Sequence, residues 1–144
     1  MTRSPKRARP DGAIELTRDT GVISVMVRRF TVLFVEDDTA VRELVVGLLR
    51  EHGFNVLMAS DGYEAIRLLV EHAVDLIFTD VVMPGLNGFE LAQQAKLMRP
   101  EIHVLYMTGY ADQFAGRGLR YGKLLEKPVR PDALLSEVCQ ALAQ

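Results

Sequence analysis

From residue 30 onward, short apolar runs alternate with stretches of helical period. Thr31 to Val35 is a β-rich run closed by Glu36-Asp37-Asp38. Val41, Leu44, Val45, Leu48 and Leu49 then recur at i, i+3, i+4, i+7 and i+8, which predicts one buried helical stripe ending at His52-Gly53. Asn55 to Ala59 reads as a second strand, and Ser60-Asp61-Gly62 opens a second helix with Ala65, Ile66 and Leu69 facing inward, ending near His72. Leu76-Ile77-Phe78-Thr79 is a run suited to a strand buried on both faces; it ends in Asp80, just before the turn-forming Pro84-Gly85. Phe89 to Met98 makes a third helix stopped by Arg99-Pro100, and His103 to Met107 a fourth strand leading to Thr108-Gly109.

The pattern weakens over Tyr110 to Gly122, where Gly116, Gly118 and Gly122 predict a short or irregular fourth helix. Lys123 to Glu126 follows as a fifth short strand, ahead of Lys127-Pro128. Pro131 suits the first turn of a last helix, with Leu134, Leu135, Val138, Cys139 and Leu142 on its inner side. Cys139 is thereby expected in the core. Five strands alternating with five helices imply an α/β fold: a parallel five-stranded sheet covered on both faces by right-handed crossovers, a three-layer (βα)5 sandwich.

Residues 1 to about 20 lack sustained periodicity, and Gly21 to Val27 offers at most a little strand. Residues 1–29 are expected to be a flexible leader and 30–144 the folded domain. Residues 1–30 hold seven Lys or Arg against three Asp or Glu, so of the net charge of −2 the remainder carries −6. This basic segment is the only candidate for nucleic-acid contact, which is not expected. Met26 is an alternative start, because a chain beginning there enters the first strand almost at once.

At 144 residues the chain suits one domain with a sizeable core. It has no apolar run near the roughly 20 residues that span a bilayer and no secretory signal, and its one cysteine cannot form an internal disulfide. A reducing interior, most simply the cytoplasm, is the expected location. His52, His72 and His103 form no recognisable ligand set.

In a parallel sheet the strands share one carboxyl edge, where ligands collect. The topology brings Glu36, Asp37, Asp80, Thr108 and Lys127 to that edge. Carboxylates a few ångströms apart repel by several kcal/mol at an effective dielectric of about 20, and a divalent cation relieves the conflict. Oxygen-only donors with spare coordination positions suit Mg²⁺, which also accepts phosphate oxygens. A lysine and a hydroxyl beside it complete a pocket for a phosphoryl group, with Asp80 as the nucleophile.

Four motifs in register, Glu36-Asp37-Asp38, Asp80 to Gly85 with Asn87-Gly88, Tyr106 to Tyr110, and Glu126-Lys127-Pro128, resemble the receiver domain of two-component response regulators. The resemblance covers residues 30 to 143 and is nearest in style to receivers of hybrid sensor kinases. It implies a flavodoxin-like fold with sheet order 2-1-3-4-5. It further implies that Asp80 accepts a phosphoryl group from a histidine kinase or histidine phosphotransferase, that Asp37, Asp80 and the carbonyl of Val82 bind Mg²⁺ with help from Glu36, that Thr108 is a switch hydroxyl, and that Lys127 is the ion partner before a cis Pro128. The chain would be a phosphoacceptor rather than a conventional enzyme. A terminal regulator that switches partner binding, a relay intermediate, a phosphate sink and a fragment of a hybrid kinase all remain open, as does a homodimer. Asp38 is expected to cap the first helix.

Two departures mark this member. Leu124 occupies the place of the family's aromatic switch, and the Thr108 to Lys127 interval is short, so the output face is expected to be remodelled. Val82 and Tyr110, two past the phosphoacceptor and two past the threonine, are poor at orienting water and imply slow self-dephosphorylation; a phosphoryl half-life of seconds at neutral pH would count against it. An Asp-nucleophile phosphatase would need an acid where Val82 stands. A flavin module would need a phosphate loop where Glu36-Asp37-Asp38 stands.

Overall fold

A computed structural model describes residues 7–8, 13–17, 24–110, 113 and 120–144. The chain divides into two compact units, Met1–Phe30 and Thr31–Gln144. In the first, β1 (Arg7–Ala8), β2 (Ala13–Thr17) and β3 (Ser24–Arg28) pair antiparallel in that order, Ile14 opposite Val27. The sequence predicts a little strand at most over Gly21 to Val27 and none over residues 1 to about 20, because pairing between segments leaves little trace in short runs of mixed polarity.

The second unit contains β4 (Thr31–Val35), α1 (Thr39–Glu51), β5 (Asn55–Ala59), α2 (Gly62–Glu71), β6 (Leu76–Asp80), α3 (Gly88–Met98), β7 (His103–Thr108), β8 (Gly122–Glu126) and α4 (Pro131–Leu142). The five strands form one parallel sheet in the order β5-β4-β6-β7-β8, which is 2-1-3-4-5 counted within that sheet. This is the flavodoxin-like arrangement. The irregular helix expected over 110–122 falls largely on residues outside those described, so four helices are described.

Local chemistry starts each helix. Asp38 Oδ1 accepts from the Val41 N–H at 3.1 Å, and Asp61 Oδ1 from the Glu64 N–H at 2.8 Å. Asn87 and Glu90 close a reciprocal capping box, and Pro131 occupies the first turn of α4. Each side-chain cap contributes about 1 kcal/mol.

Successive residues of a strand face opposite sides of the sheet. Leu33, Val35, Ile77, Val104 and Tyr106 pack with Ala65 and Leu69 of α2 and Leu91, Ala92 and Ala95 of α3. On the other side Phe34 meets Phe78 at a centroid distance of 5.0 Å, and Val45 of α1, Met107 of β7 and Leu134 of α4 line a common cavity. The central strand β6 is buried at every position, as its uninterrupted apolar run predicts.

Two inward assignments need correction. Cys139 is exposed: α4 buries Leu134, Val138 and Leu142, and Cys139, one residue beyond Val138, is turned off that stripe. Leu44 is 74% exposed, since α1 buries Val45, Val46 and Leu49 and the stripe is rotated by about one residue. Helical period fixes the spacing of an inner face but not its rotation about the axis, which the neighbouring layer decides.

Candidate functional site

The parallel register places the ends of β4, β6, β7 and β8 along one rim. Thr79 pairs with Val35 across β4/β6, Asp80 with Met107 across β6/β7, and Thr108 with Glu126 across β7/β8. Glu36 and Asp37 follow β4, Asp80 ends β6, Thr108 ends β7, and Lys127 follows β8.

Glu36, Asp37 and Asp80 each bring one carboxylate oxygen to a common point, all within 4.8 Å of one another. Glu36 and Asp80 are buried while Asp37 is exposed, so the cluster has a closed floor and an open mouth. Lys127 Nζ donates to Asp80 Oδ2 at 3.1 Å and stands 2.8 Å from Glu36 Oε1. The second contact is an ion pair at the buried Oε1. The other oxygen, Oε2, accepts from the Asp38 N–H at 3.1 Å.

The electrostatics follow from this crowding. Burial pushes the Glu36 carboxyl above the ordinary range, against the pull of Lys127 and the Asp38 N–H, and the Asp80 charge adds to the rise. For Lys127 burial acts downward, but the bonds and charges of Glu36 and Asp80 outweigh it and hold the ammonium above its ordinary value. Lys127 is therefore cationic at neutral pH. Three carboxylates against one ammonium leave about two negative charges uncompensated, the charge of one divalent cation. The three converging donors are all carboxylate oxygens within 4.8 Å of one another, and this set fits a hard ion such as Mg²⁺.

Thr108 is fully buried, and its hydroxyl accepts from the Tyr110 N–H at 3.1 Å. Its carbonyl accepts from the Lys127 N–H at 2.8 Å, tying the two strand ends together ahead of a cis Lys127-Pro128 bond. The turn after Asp80 is pinned by Val81 N–H to Met107 O at 2.9 Å and by Gly88 N–H to Val81 O at 2.8 Å. Val82 within it is 44% exposed, and Tyr110 is exposed at the end of β7. Asp38 caps α1 and is not one of the converging acids. Among the described residues, the histidines join no such cluster.

Thr79 and Arg42 were not singled out from sequence, and Gly88 entered only as part of a motif with no role assigned to it. Thr79 Oγ1 donates to the Asp80 carbonyl at 2.8 Å, and its position inside an apolar run was the available signal. Gly88 lets α3 approach the backbone of Asp80 and Val81 more closely than a Cβ would permit. Arg42, which reads as an ordinary solvent-facing helix residue, reaches back to the Glu36 carbonyl at 2.8 Å.

A family model described as "Response regulator receiver domain" matches residues 32–139. The response regulator receiver protein CpdR of Brucella abortus (strain 2308) is 33% identical over 113 residues, 74% of this chain and 92% of that protein. The sensor kinase CckA of the same organism is 35% identical over 78% of this chain, which spans only 12% of the kinase. Among solved structures, a CheY-like receiver domain protein from Methanospirillum hungatei JF-1 superimposes with a TM-score of 0.75 at 28% identity, covering 80% of this chain and 94% of that one. The receiver domain of the hybrid histidine kinase CckA superimposes with a TM-score of 0.68 at 35% identity, covering 78% and 98%.

Proposed function

The chain belongs to the response regulator receiver domain family, and from that premise we propose that Asp80 accepts a phosphoryl group from the phosphohistidine of a histidine kinase or histidine phosphotransferase. The observation that carries this reading is the convergence of Asp80 with two further acids and one lysine at the end of the central strand, within hydrogen-bonding and ion-pairing reach.

One Asp80 carboxylate oxygen forms the bond to phosphorus as the bond from phosphorus to the histidine nitrogen breaks. Lys127, already on Asp80 Oδ2, faces the oxygens of the incoming group and offsets their charge. Thr108 donates its hydroxyl to the phosphoryl group once it rotates away from the Tyr110 N–H. Asp37, Asp80 and the Val82 carbonyl would hold Mg²⁺, with Glu36 on its buried side. Bound there, the ion would neutralise charge shared by the carboxylates and the phosphoryl oxygens. The protein acts as a phosphoacceptor in signalling, supporting its own transfer and hydrolysis, with partner binding as the output.

Intact mass after incubation with a small phosphodonor and Mg²⁺ tests the reading. Wild type should gain one phosphoryl group only with the metal, and Asp80→Asn should gain none. Absence of the gain in wild type would sink it.

The likeness to CckA supports a second reading, in which the chain relays its phosphoryl group onward as hybrid-kinase receivers do. The likeness to CpdR, covered over nearly all its length, supports a stand-alone regulator. Phosphotransfer profiling separates them: a relay receiver exchanges phosphoryl groups in both directions with a phosphotransferase, whereas a terminal regulator only accepts.

A further inference from the structure

Arg42 sits in the first turns of α1, four residues past the N-cap Asp38, and its side chain turns back toward the sheet. Nη1 donates to the Glu36 carbonyl at 2.8 Å, and Nη2 to Thr39 Oγ1 at 3.4 Å. We propose that Arg42 is a positioning residue for the acid pair Glu36 and Asp37, a role that rests on the magnesium reading above.

The peptide plane between Glu36 and Asp37 carries both of their directions. On its N-terminal side the chain is anchored by the Glu36 N–H on Ala59 O at 3.0 Å, the last tie to β5. Beyond β4 the Asp38 N–H is held by Glu36 Oε2 at 3.1 Å, and the helical ladder takes over with Arg42 N–H to Asp38 O at 2.9 Å. Between them, the Arg42 guanidinium holds the Glu36 carbonyl itself. Asp37 is exposed, so packing does little to aim its carboxylate, and its direction is set by this backbone. A planar fork that reaches a carbonyl and a hydroxyl from two separate nitrogens is a task for arginine; lysine gathers its donors on one compact nitrogen at the end of a flexible stem and cannot reproduce that spread or hold the carbonyl as rigidly.

The sign of the effect separates positioning from simple charge. A guanidinium bonded to the Glu36 carbonyl brings positive charge near the acid cluster and repels an incoming dication, so if Arg42 acted by charge alone, removing it would tighten Mg²⁺ binding. If it holds the ligands in place, removing it weakens binding despite the relieved repulsion.

Isothermal titration of MgCl₂ into wild type, Arg42→Lys and Arg42→Gln measures this directly, with circular-dichroism melts of each. Residues that orient metal ligands typically change affinity about 10-fold or more when replaced, so the Gln variant should bind Mg²⁺ about 10-fold more weakly. The Lys variant should fall between it and wild type, with both melting cooperatively. If the Gln variant does not fold, the Lys variant decides: it keeps the charge and loses the fork, so positioning predicts weaker binding and charge alone predicts no change. Unchanged or tighter binding in the folded variants would overturn the assignment. A folded wild type that takes up no Mg²⁺ would overturn the magnesium reading and this assignment with it, a different result from a wild type that binds and variants that bind equally well.

Discussion

Gly88→Ala tests how closely α3 is built onto the strand that carries Asp80. A Cβ at residue 88 would stand 2.4 Å from the Asp80 carbonyl oxygen, 2.9 Å from the Val81 Cα and 3.1 Å from the Asp80 carbonyl carbon. All three atoms are backbone at the buried carboxyl end of β6, so no side chain can swing aside. The helix must move or the end of β6 must bend, and Gly88 N–H to Val81 O, 2.8 Å, is the bond most exposed to that shift. Overpacking of this kind costs about 1–3 kcal/mol. The higher helix propensity of alanine returns less than about 1 kcal/mol. At about 4 °C per kcal/mol for a domain of this size, the melting temperature should fall by about 2–10 °C. Because the displaced atoms belong to Asp80 and Val81, Mg²⁺ affinity should fall with it.

Gly47→Ala is the matched control. Gly47 is exposed on α1, and a Cβ there meets nothing within 4 Å. Alanine should stabilise that helix by about 0.5–1 kcal/mol and raise the melting temperature by about 2–4 °C. Thermal melts by circular dichroism read both variants. A Gly88→Ala protein that melts with wild type would refute the argument from close approach, and a Gly47→Ala protein that melts lower would refute the argument from open space.

Two further outcomes follow from the site and from the core beside it. Lys127→Met removes the ammonium that contacts Glu36 and Asp80; with Lys127 itself 26% exposed, the loss should be roughly 2–3 kcal/mol, below the 3–5 kcal/mol of a fully buried pair. Since three carboxylates then stand uncompensated, added Mg²⁺ should raise the melting temperature of Lys127→Met more than that of wild type, and an equal or smaller rise would contradict the charge argument. Tyr106 is fully buried with a hydroxyl that has no hydrogen-bond partner, so Tyr106→Phe should leave stability unchanged or raise it by about 1 kcal/mol. Burial, with a smaller contribution from Tyr121, pushes the Tyr106 phenol from 10.0 up to about 12. A folded-state value above the unfolded one favours the fold while the phenol is protonated: the contribution is complete below pH 10 and is lost as pH rises toward about 12. The difference in tyrosinate absorbance between wild type and Tyr106→Phe should therefore show one late-titrating phenol, and a difference that titrates near pH 10 in folded protein would refute its burial.

Most of the sheet was legible because its signals are local. An apolar run such as Leu76 to Thr79 has to be buried on both faces, and residues such as Asp38, Asp61, Asn87 and Pro131 satisfy or forgo the first helical N–H groups with side chains already present in sequence. The converging acids and Lys127 were also legible, for a topological reason: a parallel sheet with crossover helices must bring all its strand ends to one edge. Other features depend on groups distant in sequence, and one-dimensional patterns carry them weakly. Whether Leu44 or Val46 faces inward is decided by how α1 is rotated against the sheet, and the exposure of Cys139 by how α4 is rotated. That Arg42 turns back to the Glu36 carbonyl, that Gly88 must lack a Cβ, and that the Lys127 ammonium reaches both Glu36 and Asp80 are facts of three-dimensional proximity. The sequence by itself determined the order of elements and the chemical types gathered at the rim, because periodicity and chain direction fix those. Tertiary structure alone decided rotations, close approaches and charge balance, because these depend on distances between segments that no local pattern encodes.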